Sequence, residues 1–127
     1  MTNDRLEVTD LVTRLYALLD EGRYDDLGSI YAEDADLEFP SGHMHGLAEI
    51  TAMARRRGER YDRAQHITTD LLVDVDGDRA HIRANHWAIH LLDGAREEAG
   101  IVNHFDAARG AGGWRLTRGR GEVIWRG

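Results

Sequence analysis

The chain has 127 residues, of which 42% are hydrophobic, and its formal net charge is −7; these values are typical of one globular domain, here residues 1–127. The acidic balance disfavours nucleic-acid partners, and no apolar run approaches the length of about 18 residues that spans a membrane. Because residues 1–10 are polar and cysteine is absent, we expect a cytoplasmic protein without a signal peptide or disulfides.

The N-terminal half shows helical spacing of apolar side chains in three segments. These predicted helices span residues 4–20, 24–32 and 46–60. Thr2 or Asn3 is a candidate cap for the first helix, and Gly22 is typical of the position after a helix end. Between the second and third helices, residues 35–39 alternate as a strand does, until Pro40 interrupts the pattern.

The C-terminal half changes to the alternation that is typical of β-strands. Four strands are predicted, around residues 66–75, 79–92, 100–108 and 114–125. Asp76-Gly77 and Asp93-Gly94 indicate tight hairpin turns, and the glycine-rich residues 110–113 indicate a third. Helices followed by a meander of strands predict an α+β fold, with the helices packed on one face of an antiparallel sheet.

The period of two divides the predicted strand 79–92 into two faces. One face carries Ile82, Ala84, His86, Ala88 and His90. The small alanines between the histidines leave room for a ligand, so this face is predicted to line a pocket, although His86 alone is as well explained as a core histidine. His81 and Trp87 then lie on the opposite face, which is a candidate contact for a second subunit.

On the next strand, Asn103 and Phe105 share the pocket side and His104 points away. Asn103 is either a donor to a substrate oxygen or a buried amide satisfied by the backbone. The aromatic residues that line the cavity, or simply fill the core, are Tyr16, Tyr31 and Phe39. Trp114 and Trp125 are interpreted as packing residues.

The residue types that are absent narrow the chemistry. All 16 basic residues are arginine, so no lysine can form a Schiff base, and no cysteine thiolate is available. The two serines, Ser29 and Ser41, do not lie in a G-x-S-x-G motif. Histidine, carboxylate, tyrosine and asparagine remain, and these side chains suit proton transfer.

Seven histidines raise the question of a metal site. His86 and His90 would lie about 13 Å apart on a strand, too far to chelate one ion. His43 and His45 have a suitable spacing, but the predicted loop offers no third ligand, so we expect no metal.

One cluster of like charge stands out from the acidic chain. Its members are Arg55, Arg56, Arg57, Arg60 and Arg63. They form either a solvated helix face or a site for an anionic ligand or partner.

Six pieces of the sequence, in their order and spacing, resemble the NTF2-like superfamily and within it the SnoaL-like group, which is related to scytalone dehydratase, ketosteroid isomerase and polyketide cyclases. The pieces are residues 16–27, 31–36, 43–46, 65–66, 75–78 and 113–116. The resemblance implies a cone-shaped, cystatin-like fold with three N-terminal helices on a curved antiparallel sheet, a central pocket and a homodimer. It does not by itself imply an activity, since the superfamily includes non-enzymes.

The resemblance to scytalone dehydratase implies three site residues. Asp20 falls on a carboxylate at the end of the first helix, His66 on a pocket histidine, and His90 on a second one. Leu19 and Phe39 replace two tyrosines of that enzyme, which argues against the same dehydration of the same substrate. A carboxylate that orients an imidazole supports proton transfer near neutral pH; the alternative is a buried pair that only ties a helix to the sheet.

The resemblance to ketosteroid isomerase is weaker. Phe39, beside Glu38, replaces its catalytic aspartate, and Asn103 falls on the acid of its oxyanion hole. The tyrosine of that hole falls near Leu15, one residue from Tyr16. This pattern argues against a steroid-isomerase mechanism but leaves Asn103 as a hydrogen-bond donor.

These inferences lead to one main hypothesis and two alternatives. The main hypothesis is a cofactor-free enzyme for dehydration, cyclisation, isomerisation or epoxide opening of a small apolar oxygenated molecule. His66 would transfer the proton, Asp20 would orient it, and His90 would act as a second acid or donor. The alternatives are a non-catalytic ligand-binding or assembly module, whose pocket would be filled or would lack the Asp20–His66 contact, and a subunit of a hetero-oligomer with an exposed apolar face.

Overall fold

The structure is a computed structural model that describes residues 3–127. Two α-helices, α1 (Asp4–Asp20) and α2 (Leu47–Arg60), flank a 3₁₀ helix at Tyr24–Ser29. The six strands are β1 (Tyr31–Phe39), β2 (Gly42–His45), β3 (Arg63–Asp76), β4 (Arg79–Leu92), β5 (Ala95–Gly110) and β6 (Gly113–Arg126). The predicted α+β class is therefore confirmed.

All six strands form one sheet in the order β2-β1-β6-β5-β4-β3. Strands β3 to β6 are the predicted antiparallel meander, and β2 pairs antiparallel with β1. The predicted antiparallel sheet has one parallel pairing, because β1 runs parallel to β6. The hairpin at Asp93-Gly94 has φ of 52° and 81°, which is the geometry expected of a two-residue turn.

Helix α1 is held at both ends by polar contacts. The Asn3 side chain accepts a hydrogen bond from the Leu6 backbone N–H at 3.2 Å, as an N-cap does, whereas the alternative cap, Thr2, lies outside the described residues. At the same end, Asp4 accepts hydrogen bonds from Arg109 and Trp114. The buried stripe consists of Val8, Leu11, Val12, Leu15 and Leu18. The helix therefore packs its apolar face on the sheet, as its spacing predicts.

The region between α1 and α2 differs most from prediction. The second helix was predicted over residues 24–32, but only a 3₁₀ helix forms, in a segment that contains two aspartates and a glycine, residues of low helix propensity. The chain then enters the sheet at Tyr31, which pairs with Leu116. Strand β2 was predicted as a loop, and β5 begins at Ala95, earlier than predicted.

The hydrophobic core fills the space between the helices and one face of the sheet. Its largest fully buried side chains include Phe105, Leu15, Leu27, Ile30, Ile82 and Leu116. Within residues 3–127, no helix is long and apolar enough to cross a membrane. The inner face of β3–β6 not covered by this core borders the cavity described next.

Candidate active site

An open cavity of about 270 Å³ lies between the helices and the inner face of the sheet. Much of its wall is apolar, and this part includes Leu15, Leu19, Leu37, Met44, Ile50 and Met53. The polar groups that line it include Tyr16, His66, His86, His90 and Asn103. An apolar wall with a few convergent polar groups is the usual form of a small-molecule site.

Asp20 and His66 form a hydrogen-bonded pair at this cavity. The Nδ1 atom of His66 lies 2.6 Å from Oδ1 of Asp20, and the His66 backbone N–H donates to Oδ2 at 3.2 Å. Both side chains are largely shielded, with 14% exposed for His66 and 26% for Asp20. Asp20 ends α1, where a carboxylate meets the negative end of the helix dipole. The two contacts with His66 on β3 offset the unfavourable interaction of this carboxylate with the helix dipole.

The hydrogen bond to Asp20 sets the tautomer of His66. With Nδ1–H donated to the carboxylate, the lone pair of Nε2 is the basic site of the ring. Within residues 3–127, Nε2 has no hydrogen-bond partner, and His66 lines the cavity. The imidazole is thus arranged to accept a proton from a bound molecule.

His86 lies beside this pair and is neutral near pH 7. Burial is the main reason that its pKa falls to about 3, and the charge of His66 contributes. Its ring stacks on that of His66 with centroids 5.3 Å apart, and its Nδ1 lies 3.0 Å from Oγ1 of Thr68. His86 therefore contributes a neutral polar surface to the cavity.

His90 closes the row of histidines toward the cavity mouth. Burial lowers its pKa to about 4, with further contributions from the charges of His66 and Arg57. The Tyr61 ring stacks on it with centroids 4.3 Å apart. Because a neutral imidazole is a poor acid, these surroundings favour the hydrogen-bond role predicted for His90 over the role of second acid.

Tyr16 and Asn103 form a second polar pair. The Nδ2 of Asn103 donates to the Tyr16 hydroxyl at 2.8 Å, while its buried Oδ1 has no partner within the described part of the chain. The Tyr16 ring lies 4.2 Å from His86 and 5.4 Å from His66, measured between centroids. Burial raises the pKa of Tyr16, so its hydroxyl stays protonated. The amide of Asn103, predicted as a donor to a substrate oxygen or as a buried amide satisfied by the backbone, thus has the Tyr16 hydroxyl as its partner.

The remaining predicted lining residues divide into two groups. Tyr31 and Phe39 line the cavity, as predicted. Phe105 does not, because it is 1% exposed and lies in the core 6.2 Å from Phe39, measured between ring centroids. Trp114 is buried as expected, whereas Trp125 is 45% exposed and is not a core residue.

Three groups at the cavity mouth were not predicted as site residues. Arg57, Tyr61 and Glu97 all line the opening. A usable signal existed for Arg57, which continues the spacing of Ile50 and Met53 along α2. No local signal existed for Tyr61 and Glu97, because their contact, 3.2 Å from the tyrosine hydroxyl to Glu97 Oε2, joins distant segments.

The β1–β2 hairpin brings two carboxylates to His43, in a group that does not include His45. The ligand atoms of Asp36, Glu38 and His43 lie within 4.8 Å of one another. Asp36 also contacts both histidines, at 2.8 Å for His43 and 3.2 Å for His45. Hydrogen bonds from these histidines lower the pKa of Asp36, and Asp36 raises that of His43. These hydrogen bonds hold both histidines against Asp36.

An α+β fold whose helices and sheet enclose an apolar cavity with a His–Asp pair defines this protein as an NTF2-like domain. More closely, residues 1–120 match the SnoaL-like domain family, and the chain belongs to that family. The Kfla4162 protein of Kribbella flavida is 26% identical, with a TM-score of 0.91 over 98% of this chain and 93% of that one.

Two further solved structures share the fold. An NTF2-like protein with a cystatin-like fold from Novosphingobium aromaticivorans is 24% identical, with a TM-score of 0.87 over 95% of this chain and 82% of that one. The hexachlorocyclohexane dehydrochlorinase LinA-type3 of Novosphingobium barchaimii is 19% identical, with a TM-score of 0.86 over 98% and 91%. The predicted fold family is confirmed by these comparisons.

Proposed function

We propose that this protein is an acid–base enzyme that uses its own side chains, without a cofactor, on a small, largely apolar, oxygenated molecule. The observation that carries the proposal is the Asp20–His66 hydrogen bond of 2.6 Å at the wall of an open apolar cavity. The non-catalytic alternative predicted a filled cavity or the loss of this contact, and neither applies to residues 3–127.

In the proposed reaction, Nε2 of His66 removes a proton from a carbon next to a carbonyl group of the substrate. The Asp20 carboxylate stabilises the imidazolium that forms. The Tyr16 hydroxyl, held by Asn103, donates a hydrogen bond to the oxygen on which negative charge develops. His66 then returns the proton to a leaving hydroxyl, which departs as water, or to another carbon, which completes an isomerisation.

The surroundings of the three histidines support proton-transfer chemistry at this site. His86 and His90 are neutral near pH 7. Of these three histidines, His66 is the one whose imidazole has a carboxylate partner. A structural neighbour is a dehydrochlorinase, whose name denotes the elimination of hydrogen and chlorine. At 19% identity that neighbour contributes only the fold, and the reaction remains our proposal for this chain.

Proton abstraction is testable before the substrate is known. Small cyclic ketones and β-hydroxyketones in D₂O report the exchange of α-protons and the loss of water by NMR. We expect His66→Gln and Asp20→Asn to lower the exchange rate about 10²-fold or more, because general-base catalysis contributes roughly 10²–10⁴-fold. Tyr16→Phe should lower it about tenfold or more, because it removes the donor to the developing charge.

A matched control is available on the opposite face of the sheet. His81 and Asp106 form a similar pair, 2.8 Å apart, outside the cavity. His81→Gln should leave exchange unchanged. The proposal is wrong if no compound exchanges faster than in buffer, or if His66→Gln matches the parent while circular dichroism shows both folded.

A further inference from the structure

The five arginines of the cluster around the end of α2 have different surroundings. Arg55 contacts Asp25 at 2.7 Å, and Arg56 contacts the Met53 sulfur at 3.8 Å. The Arg60 guanidinium lies over the Tyr61 ring, and Arg63 is exposed. Four members of the cluster therefore have surface partners or face solvent, which fits the interpretation of a solvated helix face.

Arg57 is the exception. It follows Ile50, Met53 and Ala54 at helical spacing, and all four residues line the cavity. An apolar side chain would be expected at this position of the stripe. Arg57 is instead half-buried, with a guanidinium that is charged at any physiological pH. Within residues 3–127, its guanidinium has no hydrogen bond or ion pair, although five N–H donors are available.

Within the described residues, neither of the two glutamates that line the cavity forms an ion pair with Arg57. Glu97 accepts a hydrogen bond from the Tyr61 hydroxyl at 3.2 Å. Glu98 is paired with Arg96 at 2.7 Å and accepts from the Trp87 indole at 3.1 Å. The donors of Arg57 are therefore left for a molecule that enters the cavity.

Arg57 shares the cavity with the reacting groups. Its positive charge contributes to lowering the pKa of His90, whose ring centroid is 5.5 Å from that of His66. A molecule anchored on Arg57 would therefore lie in the same cavity as His66, between the apolar walls.

We propose that Arg57 binds a carboxylate of the substrate, so that the substrate class is small apolar acids that also carry a carbonyl group. A guanidinium matches a planar carboxylate with two parallel hydrogen bonds, and the partly shielded position strengthens the pairing. This inference rests on the proposed function, in which His66 reacts next to the carbonyl group of the substrate. It adds Arg57 as the residue that binds the carboxylate at the other end of the substrate.

The test compares two probes that differ in one group, 3-oxocyclohexanecarboxylate and 3-oxocyclohexanecarboxamide. Titration calorimetry should give the parent about a tenfold or greater preference for the carboxylate, as expected for one charged hydrogen-bonded pair. Arg57→Gln should abolish the preference, and Arg57→Lys should restore part of it. The controls Arg55→Gln and Arg60→Gln change the charge of the same helix and should retain it.

The outcomes separate this inference from the proposed function. His66→Gln should keep the carboxylate preference while proton exchange is lost, and Arg55→Gln, outside the cavity, should keep both the preference and the exchange. Equal affinity of the parent for the two probes, or a preference that survives in folded Arg57→Gln, overturns the inference. A sulfonate probe that binds as well as the carboxylate would overturn the assignment of a planar carboxylate.

Discussion

Three histidines share one wall of the cavity, and their surroundings give them different chemistry. His66 has a carboxylate partner, whereas His86 and His90 have none within the described residues, and burial lowers the pKa of both. The imidazole of His86 is 6% exposed. Such a group resists protonation in the folded protein but accepts a proton freely in the unfolded chain.

This difference makes the stability of the fold pH-dependent. Between its ordinary pKa of 6.5 and about 3, His86 binds a proton in the unfolded chain and not in the folded one. Stability should therefore fall with falling pH in this window, by about 1.4 kcal/mol per pH unit for this group. In His86→Gln, the free energy of unfolding in urea should fall less steeply between pH 7 and pH 5.

The exposed His43 provides a control of opposite sign. Its pKa is raised by Asp36, so protonation of His43 favours the folded state. His43→Gln should not flatten the pH profile. A His86→Gln profile that is as steep as the parent profile contradicts the assignment.

Individual site residues were predictable only to a degree. Asp20 and His66 lie 46 positions apart, and only the family resemblance suggested that they meet. Arg57 could be separated from the other arginines of the cluster only by its helical spacing from Ile50 and Met53 along α2. The pairing of Asn103 with Tyr16 was not predictable, because this hydrogen bond joins residues 87 positions apart in the sequence.

At the level of elements, prediction succeeded where the pairing is local. The period of two gave the faces of β4 and β5 because both are long antiparallel strands joined by a tight turn. It failed for residues 42–45, which follow Pro40 and carry polar His43 and His45 on their outer side. The parallel pairing of β1 with β6 joins residues such as Asp36 and Arg118, which no local pattern connects.

Strand β6 carries a glycine that the cavity requires. A Cβ atom at Gly121 would lie 2.6 Å from Cδ1 of Phe39 and 3.1 Å from Oδ1 of Asn103. Gly121→Ala should therefore displace the Phe39 ring from the cavity wall and cost about 1–3 kcal/mol of stability. Urea unfolding measures the cost, and calorimetry with the cyclic-ketone probes measures the loss of binding.

The glycine at position 110 is the matched control. A Cβ atom there has no atom within 4 Å, so Gly110→Ala should leave ligand binding unchanged. Equal stability and binding of Gly121→Ala and the parent would contradict the packing described here.

At the level of the whole molecule, the sheet has a second face that the helices do not cover. Side chains on its outer side include Trp87 and Ile67, which are paired across β3 and β4 and are 40% and 37% exposed. Trp125 lies against Gly100 on the same side. The resemblance to the NTF2-like superfamily implies a homodimer, and we expect a second copy of the chain to cover this face.

Trp87→Arg tests the homodimer. Placing a charge at the centre of an apolar contact should weaken association about 100-fold or more. Sedimentation velocity should show a dimeric parent and a monomeric variant, while Leu6→Arg, on the exposed side of α1, stays dimeric. A monomeric parent would contradict a homodimer and favour the hetero-oligomer alternative.

The two anchored ends of α1 impose a limit on how this protein can change during evolution. The helix is about 25 Å long. Asp4 at its first residue contacts Arg109, and Asp20 at its last residue contacts His66. Adding or deleting one residue anywhere along it would swing one anchor by about 100° around the axis. Chains that retain both anchors should therefore tolerate many substitutions in this helix but no change in its length.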